Sequence, residues 1–126
     1  MTDWIKERRK KKNELIGNIS FPKHVGRYDL EENNEDYISY VGRSRNVYDD
    51  GDYLVYMGIR KWDFKDRDKP LYILDGFLKG LNNDVEKDFR PSTRTQFESL
   101  EKAKESLVDI MMAYDPSDAV HDEVII

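Results

Sequence analysis

Three times in this chain a glycine is closely followed by an arginine: Gly26-Arg27, Gly42-Arg43 and Gly58-Ile59-Arg60. Glycine lets a ligand approach the backbone, and arginine grips phosphate through a two-pronged fork of N–H donors. The first two steps share the triplet Val-Gly-Arg, and Arg45 follows the second. Gly26, Arg27, Arg43 and Arg45 therefore form one candidate anion site. The ordinary alternative at each step is a glycine that ends or bulges a strand, beside an arginine paired with a nearby acid. A second group comprises Phe89, Arg90, Thr93 and Arg94, with Ser92 between them, where the spacing predicts the start of a helix. The free amides and partial positive charge of a helix start favour an anion. Phe89 or Tyr114 could stack on a base, and Asp115 could accept from sugar hydroxyls. The alternative here is a plain capped helix whose arginines bridge to Glu98 or Asp88.

Other chemistries find less support. The chain has no cysteine, hence no disulfide, no thiolate metal ligand and no thiol nucleophile. It has no Gly-x-Ser-x-Gly elbow, no Walker loop and no dinucleotide fingerprint. Its two histidines, His24 and His121, lie far apart with no partner motif. With 26 acidic residues, a pair of carboxylates that meet in space is undiagnostic. These features point to a binder of small phosphorylated aromatic ligands rather than an enzyme, with no metal or cofactor expected.

The elements that must position these residues read as an α+β domain, an N-terminal antiparallel sheet followed by C-terminal helices. Thr2 or Asp3 caps a first helix running to about Ile16, and Gly17 stops it. The segments "NISF", "YISYV" and "DYLVYMGI" are rich in Tyr, Ile and Val and partly alternate, as strands do. Asn33-Asn34 and Asp49-Asp50-Gly51-Asp52 supply turns between them. After the charged connector "RKWDFKDRDKP", the run "PLYILDGFLKGL" is open to two readings. Asp75-Gly76 could close a hairpin, but Leu71, Leu74, Leu78 and Leu81 follow helical spacing behind Pro70, which favours a helix. The last helix is capped at Ser92 or Thr93, with Thr93 and Gln96 in a capping-box pattern. Phe97, Leu100, Ala103, Leu107, Met111 and Tyr114 form its apolar stripe, and Pro116 stops it. The expected organisation is a single domain over 1–126: a basic segment at 1–16, mainly β at 17–66, mainly α at 67–114 and an acidic tail at 115–126.

Composition limits the partners. The 126 residues can bury a modest core, but 37% are charged, so burial between subunits of a homo-oligomer is expected. Eight tyrosines suit such interfaces. The run "KERRKKK" could grip a polyanion, yet the net charge of −5 argues against a broad nucleic-acid footprint. No stretch approaches the roughly 20 apolar residues that span a bilayer, and the first residues lack the pattern of a signal peptide. A cytoplasmic protein without membrane contact is expected.

At "FPKHVGRY", "YVGRSR" and "KWDFKDRDKPLYILDGFLKG" the chain resembles the phage Thoeris anti-defence 1 family, over about residues 17–114. That resemblance implies an N-terminal antiparallel sheet with C-terminal helices. It implies capture, without degradation, of cyclic ADP-ribose isomers made by bacterial immune enzymes. It further implies dimers that associate into hexamers, with separate sites for cyclic oligonucleotides. The family's individual ligand contacts do not transfer to numbered positions here. From residue chemistry, Arg90 and Arg94 would hold a pyrophosphate, Phe89 a base and Asp115 ribose hydroxyls, while the Val-Gly-Arg steps would supply the second class of site. A protein–protein inhibitor with a tyrosine-rich docking sheet is the competing expectation, and a small nucleic-acid binder the third.

Overall fold

The computed structural model describes residues 20–34, 36–46 and 51–117. Seven strands form one antiparallel sheet: β1 (His24–Val25), β2 (Tyr28–Asn33), β3 (Tyr37–Asn46), β4 (Gly51–Trp62), β5 (Leu71–Gly80), β6 (Glu86–Phe89) and β7 (Gln96–Phe97). The helix α1 (Leu100–Ala113) follows. The fold is α+β, with the sheet first and the helix after it.

The sheet is a meander, each strand from β1 to β6 hydrogen-bonded to the next in sequence. Alternation along β3 and β4 sets its two faces. Ile38 and Tyr40 of β3 point inward with Tyr53, Val55, Met57 and Ile59 of β4, and all are buried. The helix lies on this face through Leu100, Ala103, Leu107, Ile110 and Met111. Tyr40 is fully buried there, its hydroxyl donates to the Pro22 carbonyl, and burial pushes its phenol up to about 12. The β2–β3 turn uses Asn34, whose side-chain oxygen accepts from the backbone N–H groups of Asp36 and Tyr37.

Leu71–Gly80 is a strand, correcting the helix expected over Pro70–Leu81. Leu74 and Leu78 are four apart, a spacing that also keeps two residues on one face of a strand. Tyr72, Leu74 and Leu78 turn towards the core side, while Leu71, Ile73, Asp75 and Phe77 alternate outward. The hairpin reading fails too, because the strand runs unbroken through Asp75-Gly76. Glycine at 76 leaves room for Phe89, whose ring would stand 2.5 Å from any Cβ there.

The last helix also begins later than expected. Its N-cap is Ser99, whose hydroxyl accepts from the Lys102 N–H at 3.4 Å, and neither Ser92 nor Thr93 caps it. The intervening chain is held to the sheet instead. β6 pairs with Gly76–Lys79 and β7 with Tyr72–Ile73, so they lie end to end along one edge of β5. Between them the Leu74 N–H donates to the Thr95 carbonyl at 2.8 Å, and Pro91 is buried. Residues 67–114 are therefore not mainly α. Sheet extends to Phe97, and the helix keeps the middle of the expected stripe, from Leu100 to Met111, with Phe97 in β7 and Tyr114 an exposed C-cap.

Of the earlier segments, "YISYV" and "DYLVYMGI" lie within β3 and β4, whereas Ser20 and Phe21 of "NISF" are not strand. The expected first helix, the basic run at 6–12, the turn residues Asp49 and Asp50, and the tail beyond Ser117 lie outside the described residues. Among the described residues, no helix is long and apolar enough to cross a membrane.

Candidate functional site: a cationic hollow at the start of the helix

Three pieces of chain meet where the helix begins. The β4–β5 connector brings Arg67 and Lys69, the strand β7 brings Gln96 with Arg94 just before it, and the first helical turn brings Lys102. Together with Leu71, Glu98 and Ser99 they line a hollow of about 500 Å³. Four of its lining side chains are cationic and one, Glu98, is acidic. Glu98 is committed to Arg67, at 3.2 Å. Asp68 belongs to the adjoining hollow, with Arg67, Lys69 and Glu98.

Arg94 is held by its neighbour. Its guanidinium carbon stands over the Phe97 ring, 4.7 Å from the centroid, an arrangement in which the ring's electron-rich face attracts the cation. Phe97 is buried, so it makes a fixed platform. The guanidinium edge remains exposed and able to donate to an anion.

The structure divides the residues singled out from sequence. Arg94 lies in the cationic hollow. Phe89 and Arg90 line a separate notch of about 530 Å³ on the other side of the looped-out segment, with Thr95, Asp88 and Asp75. Phe89 is half-buried and packs against the core over Gly76. Thr93 is exposed between the two hollows. Asp115 follows the far end of the helix, where its carboxylate accepts from the Ser117 N–H at 2.9 Å. Fourteen helical residues rise about 20 Å, which separates Asp115 from Arg94. None of Arg90, Thr93 and Arg94 belongs to the first turn of a helix, because the chain before Ser99 is recruited to the edge of β5, and only Arg94 reaches the hollow beside the N-cap Ser99.

The Val-Gly-Arg steps have local explanations. Gly26 turns the chain between β1 and β2 at φ +58°, against the Met111 carbonyl. Gly42 sits where a Cβ would lie 2.4 Å from the Pro116 ring and 3.0 Å from Tyr28. Arg43 pairs with Asp52 at 2.9 Å, while Arg27 is exposed beside the Gly26 turn. The side chain of Arg45 lies outside what the structure describes.

Sequence reasoning did not find Arg67, Lys69 and Lys102. The first two stood in a stretch read only as a charged connector. Their signal is tertiary: the connector folds back to the end of β7, some 30 residues later in the chain. No family model, curated protein or solved structure matches the chain.

Proposed function

We propose that the protein captures a small phosphorylated nucleotide of the cyclic ADP-ribose class and holds it intact, in the cytoplasm of an infected bacterial cell. The observation that carries this reading is the cationic hollow, with Arg67, Lys69, Arg94 and Lys102 facing one acid in a chain of net charge −5. Such a concentration of cations matches the charges of a pyrophosphate. The hollow of about 500 Å³ lies within the roughly 300–1,000 Å³ range of small-ligand sites. Arg94, preset by Phe97, supplies a fork of donors at a low ordering cost. The resemblance of the sequence to a family of nucleotide sponges supports the same reading. Capture asks only for complementary charge and shape, without a nucleophile.

A closed homo-oligomer, a dimer or a hexamer, belongs to this proposal. Trp62 and Phe64 pack edge to face at 5.5 Å while remaining 46% and 37% exposed, and Met112 is 66% exposed. Apolar groups of this size favour contact with another subunit. Light scattering at micromolar concentration tests the assembly, and a monomer would contradict it. For capture itself, the protein is incubated with a cyclic ADP-ribose isomer, filtered and heat-denatured. Recovery of the unchanged compound in stoichiometric amount is expected. Release of linear ADP-ribose, or no retention at all, would overturn the proposal.

A further inference from the structure

The face of the sheet opposite the helix carries another hollow, whose shape follows from strand register. Ser39, Gly58 and Asp75 stand abreast on β3, β4 and β5. Tyr56 and Phe77 are the next outward-facing pair on one side, and Tyr37 and Arg60 stand abreast on the other. The middle row has little or no side chain at two positions and the outer rows have large ones. The result is a slot across the strands of about 210 Å³, floored by Gly58. Tyr56 and Arg60 are four residues apart, so the Cα rows beneath the two walls are separated by about 13 Å. That leaves room for a flat ring between the side chains.

The ends of the slot are polar. At one end Arg60 Nε lies 3.1 Å from an Asp75 carboxylate oxygen, and at the other the Ser39 hydroxyl donates to Glu31 at 3.4 Å. Asp88 stands abreast of Phe77 on β6, adding a third carboxylate near the slot. With Arg90 of the adjoining notch counted beside Arg60, two arginines face Glu31, Asp75 and Asp88, so the surroundings stay on the acidic side, unlike those of the cationic hollow.

The geometry points to a second binding site in this slot, for an uncharged or cationic planar heterocycle with N–H donors on its edge, of the unphosphorylated nucleobase or nucleoside class. Tyr56 and Phe77, with ring centroids 6.2 Å apart and planes at 45°, form one continuous aromatic wall against which such a ring lies. Asp75 and Glu31 accept from amino or ring N–H groups at its edges, and Arg60 donates to a ring nitrogen or carbonyl. The slot itself, below the roughly 300 Å³ at which drug-sized sites begin, fits one ring system, and the adjoining notch, which shares Arg60, Asp75, Gly76 and Phe77, leaves room beside it for a sugar. The acidic rim repels a phosphate, which separates this site from the cationic hollow in ligand class as well as in place. The inference does not depend on the proposed capture of nucleotides.

The test is titration of the isotope-labelled full chain with adenosine and, in parallel, with adenosine monophosphate, followed by amide resonances. Adenosine should move the Gly58, Asp75 and Phe77 amides saturably. The monophosphate should bind about tenfold more weakly at those amides, because its phosphate meets the acidic rim. Asp75→Asn should weaken adenosine binding by about fivefold or more through loss of a charged acceptor, and Tyr56→Leu should weaken it through loss of the wall. Arg94→Ala should leave it unchanged. Absence of saturable adenosine shifts at Gly58 would overturn the assignment. Equal binding of the monophosphate in the slot, or undiminished binding to both slot variants, would overturn it as well.

Discussion

The Arg94 guanidinium stands over the face of Phe97, 4.7 Å from the ring centroid, and Phe97 is itself anchored in β7 opposite Tyr72. A cation set on a buried ring is preset in position, unlike a lysine swinging on a four-carbon stem. Arg94→Ala should weaken capture of a cyclic ADP-ribose isomer about tenfold or more, and Arg94→Lys should recover only part of that loss. Titration calorimetry on both variants, with size-exclusion controls, checks the order. If lysine restores full affinity, charge alone matters and the ring platform does not.

The start of the helix offers a direct comparison of two hydroxyls. Ser99 caps the helix, whereas Thr93 lies exposed in the segment looped out from β5. Ser99→Ala should cost about 1 kcal/mol, the usual value of an N-cap. Thr93→Ala should cost almost nothing. Urea denaturation of the two variants measures the difference, and equal effects would argue against this helix boundary.

Gly58 is constrained by its neighbour across the ladder. A Cβ at this position would fall 2.1 Å from the Ile38 carbonyl oxygen, a backbone atom that cannot swing aside. Gly58→Ala should therefore destabilise the fold by about 3 kcal/mol or more, at the upper end of overpacking costs. A large drop in thermal midpoint is expected. A melting curve like that of the parent would mean that β3 and β4 separate more easily than their pairing suggests.

Asp75 makes stability depend on pH in an unusual direction. Burial raises its pKa above the ordinary 3.8, Arg60 beside it pulls the other way, and Asp88 adds to the rise. Because the folded protein holds this proton more tightly than the unfolded chain, the contribution is fully present below pH 3.8 and is lost as pH rises through the raised folded value. Compared with Asp75→Asn, the parent should gain relative stability as the solution is acidified through that window. Urea unfolding of both proteins at several acidic pH values tests it. The opposite slope would show that the Arg60 ion pair outweighs burial.

The two strands whose residues alternate most cleanly, β3 and β4, were legible in the sequence, as was the helical stripe through Leu100, Ala103, Leu107 and Met111. Leu74 and Leu78 were misleading because a separation of four satisfies both a helix and a strand. The partners that decide between them, Met57 and Ile59 on β4 and Phe89 on β6, lie far along the chain. Thr93 and Gln96 have the right types for a capping box, but Gln96 is claimed by the edge of β5 as part of β7, and Thr93 lies in the segment looped out before it. Arg94 could be singled out by its type. Its companions Arg67 and Lys69 could not, because only the folding back of the β4–β5 connector places them beside it. The slot over Gly58 was hidden for the same reason: with 70–81 read as helix, Asp75 and Phe77 had no place beside Tyr56.

In the path from β1 to β6 every strand pairs with its neighbour in the chain, and the twelve-residue β4 is flanked along most of its length by β3 and β5. Such an arrangement can assemble by successive hairpin closures, without waiting for distant segments to find one another. The last described helix then docks on a sheet already paired. Amide protons in the middle of β4 are sheltered by a strand on each side and by the helix on one face, whereas β1 and β6 lie at the margins. Hydrogen exchange should accordingly be slowest in β4 and progressively faster towards both edges, with the sheet opening from its rims while its centre stays closed.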